Sequence, residues 1–161
     1  MPHDAAMITL QIGDHDTTVT LPAGAQPVQV LRLPIGAASV AAAHFRHDPP
    51  SEADMERAIQ AVEDVVMPLH RLLPPGASLA STDAAVREIA LLAGVAPADR
   101  MLLTVDDVES VFDRLAAVVT GSTPARQQIP AGPAFAATLL VLREFMHHLK
   151  FAAITWSTAE R

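Results

Sequence analysis

The chain has 161 residues, half of them hydrophobic, a net charge of -7 and no cysteine. That length buries one core and leaves no room for a second domain of similar size, so a single domain over 1–161 is expected. Acidity argues against nucleic acid or an anionic membrane as partner, the missing cysteines exclude a disulfide framework and a zinc–thiolate centre, and no apolar run approaches the roughly 18 residues of a membrane span.

Strands come first. Met7 to Ile12 and Thr17 to Leu21 alternate and are rich in β-branched residues, with Gly13-Asp14-His15-Asp16 between them as a turn. Val28 to Leu33 follows after Pro22-Ala23-Gly24, which completes an antiparallel three-strand meander. Gly36 then permits backbone angles that a Cβ resists, while Pro49-Pro50 forbid helix until Ser51, whose hydroxyl can cap the first free amides. From there the period changes to that of a helix, with Met55, Ile59, Val62, Val66 and Leu69 on one stripe, distorted at Pro68 and stopped by Pro74-Pro75-Gly76.

A short extended piece, Ser78 to Ser81, precedes a helix from about Asp83 that carries Val86, Ile89 and Ala93 and closes at Gly94. The next helix is capped by Thr104, presents Val108, Val111, Phe112, Leu115 and Val118, and ends at Gly121. Ser122 to Gly132 reads as a polar loop, Pro133 opens a helix running to Leu149, and Ile154-Thr155-Trp156 reads as a last buried strand. The order β-β-β-α-β-α-α-α-β is a mixed α/β one and fits a ribonuclease-H-like lobe with an added helix. Trp156, Phe112, Leu139 and Leu142 are expected in its core.

Several of these segments resemble one family. Leu33-Pro34-Ile35-Gly36-Ala37, followed by Phe45 and Asp48-Pro49-Pro50-Ser51, is similar to the L-P-L-G-A to D-P-P-[ST] junction of the exopolyphosphatase and guanosine pentaphosphate phosphatase (Ppx/GppA) family. Leu103-Thr104-Val105-Asp106-Asp107-Val108-Glu109 resembles its L-T-[LV]-E-[ED]-V-E helix start, Leu139 to Met146 its next-to-last apolar helix, and Ile154-Thr155-Trp156-Ser157 its I-T-V-S strand. The resemblance implies an actin-like fold, and it falls on the second of the family's two lobes, whose partner lobe supplies the general base.

The same resemblance puts the phosphate loops in question. The family's first hairpin reads D-I-G-G-G-S-T-E, with glycines that admit phosphate to backbone amides and carboxylates that help hold a metal. Here it reads Gln11-Ile12-Gly13-Asp14-His15-Asp16-Thr17-Thr18, with neutral ends and with Asp14 and His15 where glycines stand. The family's second loop, a G-G-T-type turn, corresponds to Ala80-Ser81-Thr82-Asp83. Gly13, Asp14, His15, Asp16, Thr17, Ser81 and Thr82 are therefore the candidate ligand-binding residues of a degenerate site. No catalytic residue and no metal ligand is assigned. Asp83 is expected to cap its own helix and so to repel an anion there.

His44 and His47 lie three apart, and His147 and His148 are adjacent, but neighbours on a helix point about 100° apart and share one metal poorly. The absence of G-x-S-x-G, Walker and G-x-G-x-x-G patterns removes the commoner nucleophile and nucleotide signatures. One lysine, Lys150, and no tyrosine or asparagine point to a GC-rich, bacterial-type coding genome rather than to a function. Met1-Pro2-His3-Asp4 lacks the basic start and apolar core of a signal peptide, so a cytoplasmic protein is expected.

The expectation is a non-catalytic lobe, without cofactor, acting by binding or assembly as a homodimer or with a first-lobe protein. Its dimer surface would be the helix from Pro133 to Leu149 or the one from Ser51 to Leu73, since half the chain is apolar. A phosphohydrolase using Mg2+, completed by a dimer mate or a first-lobe subunit, is the enzymatic alternative. A sensor of a phosphate-bearing small molecule is the third.

Overall fold

The computed structural model describes residues 6–22 and 27–158. Ala23 and Gly24 of the expected turn, and the Met1 to Asp4 segment, lie outside the described residues. Strands β1 (Met7–Ile12), β2 (Thr17–Leu21) and β3 (Gln29–Leu33) form the expected antiparallel meander. Then come helices α1 (Ala37–His44) and α2 (Glu52–Val66), strand β4 (Ser78–Ser81), helix α3 (Ala84–Leu92) and strand β5 (Arg100–Thr104). Helices α4 (Val105–Val119), α5 (Thr123–Arg126) and α6 (Pro133–His148) lead to the last strand, β6 (Ala153–Ser157).

The six strands make one mixed sheet in the order β3-β2-β1-β4-β6-β5, with β4 parallel to β1 and to β6. From β3 the chain crosses to β4, passes β6 to reach the edge strand β5, and returns to β6. Burial places the described helices on one face of the sheet. Ile8, Leu10, Ile12, Val19, Leu79, Met101, Leu103, Ile154 and Trp156 are covered, whereas Thr9, Thr18, Thr20, Thr155 and the exposed Met7, Val30 and Leu102 look out from the other face. No described helix covers that second face.

Helix α6 is the centre of the helical layer. Its residues from Ala136 to Met146 are buried all round except Arg143, as expected of a helix apolar on every side, and α1, α2 and α4 pack against it. Phe145 stacks on Phe151 with ring centroids 5.9 Å apart. Trp156, Leu139 and Leu142 are in the core as expected. Phe112 is only half-buried, because Val108, Val111, Leu115 and Val118 form the inward stripe of α4 and Phe112 sits on its flank, under the Arg143 guanidinium 4.1 Å from the ring centre.

The helix ends follow sequence chemistry closely. Ser51 and Thr104 each accept from the amide three residues on, while Asp54 and Asp107 reach back to the cap amides, which gives two reciprocal capping boxes. Pro68 converts the end of α2 to a 3-10 turn over Met67–Arg71, since it removes an amide from the helical ladder. Three elements differ from expectation. Helix α1 is built of A-A-S-V-A-A-A-H, strong in helix propensity but without an apolar stripe, and buries only Ala37 and Val40. Strand β5 hides in Met101-Leu102-Leu103, where an exposed Leu102 masks the alternation. Within the expected polar loop Ser122 caps the single turn α5, and Ala125 and Ile129 enter the core.

Candidate functional site

The first hairpin turn and the start of α1 form one bonded unit. Gly13 N donates to Asp16 O at 2.9 Å and closes the turn. The first amides of α1 then turn onto it: Ala37 N donates to Gly13 O (2.9 Å), and Ala38 N and Ser39 N donate to Asp14 O (2.7 and 3.0 Å). Ser39 Oγ donates to His15 O, and the buried Thr17 hydroxyl donates to Ile35 O at 2.6 Å. So close an approach requires Gly36, because a Cβ there would lie 2.6 Å from backbone atoms of Gly13 and Asp14. The free amides that make a helix start attractive to anions are, in α1, already bonded to carbonyls of the turn.

The seven candidate residues divide accordingly. Asp14 and His15 point to solvent, and Asp16 lies 3.9 Å from Arg32 Nη1 at the exposed edge. Gly13 and Thr17 are structural parts of the turn. Gln11 and Thr18 are direct partners across the β1–β2 ladder. Ser81 is buried, and its hydroxyl accepts from Asp83 N at 3.0 Å. Thr82 lines a shallow depression on the open sheet face together with Thr9, Arg100 and Thr155.

Asp83 behaves differently from the expectation. Its backbone begins α3, but its side chain makes no cap bond. Instead Oδ2 accepts from Ile12 N at 2.6 Å, beyond the last β1–β4 pair, and ties the two candidate loops together. Burial pushes the Asp83 carboxyl up from its ordinary range, and the Ile12 amide pulls partly back. The reason for the miss is spacing: Asp83 and Ile12 are 71 residues apart, whereas the cap bond expected of Asp83 is local. Trp156 lies beside this corner with the Arg87 guanidinium 5.5 Å from its ring centre, and its buried Nε1 has no hydrogen-bond partner among the described residues.

A second polar centre holds the Asp-Pro-Pro-Ser junction, which contains a cis Asp48–Pro49 bond. Fully buried Asp54 accepts from the amides of Arg46 (3.2 Å), His47 (3.0 Å) and Ser51 (3.0 Å), lies 3.0 Å from His47 Nδ1, and pairs with Arg57. Burial alone would raise its pKa, but the Ser51 amide and the His47 ring and amide outweigh that and hold the carboxyl well below the usual range. This anchor ties the segment after α1 to the first turn of α2, and both helices pack on α6. His44 ends α1, and the His147 and His148 rings meet edge to face at 5.0 Å.

A single mixed-sheet lobe with an actin-like strand order is the class this geometry defines. No family model matches the sequence, and neither does any curated protein. Solved structures do. A structure of the Aquifex aeolicus Ppx/GppA phosphatase, described as its type II variant, superposes with a TM-score of 0.75 over 98% of this chain at 17% identity. A second structure of the Aquifex aeolicus family member gives 0.75 at 18% identity, and an exopolyphosphatase from Cytophaga hutchinsonii gives 0.71 at 16% over 97% of the chain. This chain therefore has the fold found in Ppx/GppA proteins and spans about half of their length, 54–55% of those chains.

No helix among the described residues is long and apolar enough to cross a membrane.

Proposed function

We propose that this lobe does not itself hydrolyse phosphoanhydrides and acts by binding or assembly. The observation that carries the reading is the bond from Ile12 N to Asp83 Oδ2: a fixed carboxylate takes a backbone amide at the meeting point of the two loops where the resembling family admits phosphate. The three α1 amides spent on Gly13 and Asp14 carbonyls support it, since they offer nothing to an incoming oxyanion. So do Gln11 and Thr18, which bring no charge to a hard cation. Asp14 and Asp16 add negative charge at the rim.

For assembly, a second copy of the chain is the partner we favour, with a separate first-lobe protein as the other candidate. Helix α6 is enclosed by its own chain and offers no free face, and the outward positions of α2 are mostly charged or polar. The uncovered sheet face, with exposed Met7, Val30 and Leu102, and the end of the Ser51 to Leu73 segment, with exposed Met67 and Leu72, are apolar surfaces that remain.

The competing reading is a phosphohydrolase whose site is completed by a dimer mate or a first-lobe subunit and uses Mg2+. Its support is the fold shared with proteins described as phosphatases and exopolyphosphatases. Phosphate release from polyphosphate, guanosine pentaphosphate and a nucleoside triphosphate, with Mg2+, tests both. The proposal expects none above buffer. Release that disappears in Asp14→Ala or Asp16→Ala sinks it in favour of the enzyme.

A further inference from the structure

Glu144 and His148 are four apart on α6 and so share one side of it, where Glu63 of α2 faces them. We infer that Glu63, Glu144 and His148 bind one divalent transition-metal cation, with Zn2+ the best fit, between α2 and the last turn of α6. The three donor atoms lie within 4.8 Å of one another. His148 Nε2 is 3.5 Å from Glu144 Oε1 and 4.0 Å from Glu63 Oε2. Hydrogen bonds between ionised partners are about 2.7–2.9 Å long, so these groups are not bonded to one another at full strength. They are spaced instead like ligands around a common centre. Donors about 2.0–2.2 Å from a tetrahedral Zn2+ stand about 3.3–3.6 Å apart, within a small side-chain adjustment of the distances here.

Glu144 supplies a buried donor with one oxygen free. Its side chain is only 3% exposed, and its pairing with Arg143 engages a single carboxylate oxygen. Arg143 Nη1 holds Oε2 at 3.2 Å and is itself fixed by Glu109 Oε1 at 2.7 Å. Oε1, which accepts no hydrogen bond closer than the 3.5 Å contact, points to the cluster. An outer partner on one oxygen that frees the other for a cation is the usual support of a metal ligand. Two carboxylates neutralise a divalent charge, and the imidazole favours a borderline first-row metal over Mg2+ or Ca2+. Partly exposed Glu63 and His148 leave a route for the ion and for a completing water. The site is remote from the phosphate loops in sequence and independent of the reading above.

Calorimetric titration of the metal-stripped chain with Zn2+ at neutral pH tests it, alongside Glu63→Gln, His148→Ala and His147→Ala. One saturable ion per chain is expected, with affinity at least ~10-fold lower in Glu63→Gln and His148→Ala and unchanged in His147→Ala. Zn2+ should also raise the thermal midpoint of the unsubstituted chain and of His147→Ala alone. Glu63→Gln is conservative and partly exposed, so it decides the matter if His148→Ala fails to fold. No saturable binding, or binding that survives Glu63→Gln, overturns the site and leaves an ion-pair cluster of His148 with two carboxylates.

Discussion

Replacing Gly36 by alanine should pull α1 away from the first hairpin. The added Cβ would stand 2.6 Å from the carbonyl carbon and oxygen of Asp14 and from Gly13 O, against an ordinary contact of about 3.5–4.0 Å. All three are backbone atoms, so no rotamer relieves the overlap. The φ of -152° is open to any residue, which makes the effect purely steric. Backing off by about 1 Å breaks the amide bonds of Ala37, Ala38 and Ser39 to Gly13 and Asp14. At about 0.5–1.5 kcal/mol each, their loss sums to about 3 kcal/mol, or about 6–12 °C in Tm for a domain of this size. Urea denaturation followed by circular dichroism measures the first figure and a thermal scan the second. A Gly36→Ala chain within about 0.5 kcal/mol of the parent refutes the docked hairpin.

Other expectations follow from burial and charge. Phe145→Ala should cost about 3–5 kcal/mol, and Phe112→Ala clearly less, about 1–2 kcal/mol, because Phe112 is half-buried and loses mainly its Arg143 contact; equal losses in chemical denaturation would show that α4 has been oriented wrongly. Asp54, whose carboxyl is depressed in the fold, contributes stability that is fully present above its unfolded pKa of about 3.9 and lost as pH falls toward the folded value, so the stability–pH curve should drop below about pH 4. Asp83, whose carboxyl is raised, acts in the opposite sense: its penalty is absent at low pH and appears as pH rises through the folded pKa. Asp83→Asn keeps an acceptor for Ile12 N without that penalty, and its neutral-pH stability should equal or exceed the parent's; a marked loss would mean that the negative charge itself holds the loops together.

Much of the fold was legible because it rests on local chemistry. The meander announces itself by alternation, α2 and α4 by an apolar stripe behind a Ser or Thr cap, and the ends at Gly94 and Gly121 by the left-handed backbone glycine allows. Where local and tertiary signals part, the sequence misleads. Helix α1 owes its place to the hairpin beneath it rather than to an amphipathic face, and β5 pairs with β6 although Arg100 and its partner Ser157 are 57 residues apart. The candidate site divides the same way. The neutral residues Gln11 and Thr18 at the ends of the hairpin turn are visible in the sequence, but the bond from Ile12 to Asp83, and the meeting of Glu63 with His148 across two helices, depend on long-range packing that no short motif encodes.

The most direct test of the central claim is calorimetric titration of the chain with tripolyphosphate, with and without Mg2+, at neutral pH and low ionic strength. With Asp83 on the Ile12 amide and the α1 amides bonded to the turn, no saturable binding should be seen up to millimolar ligand. One-to-one binding at micromolar concentration, weakened by Ser81→Ala or by Thr82→Ala, would contradict the account and restore this corner as a working phosphate site.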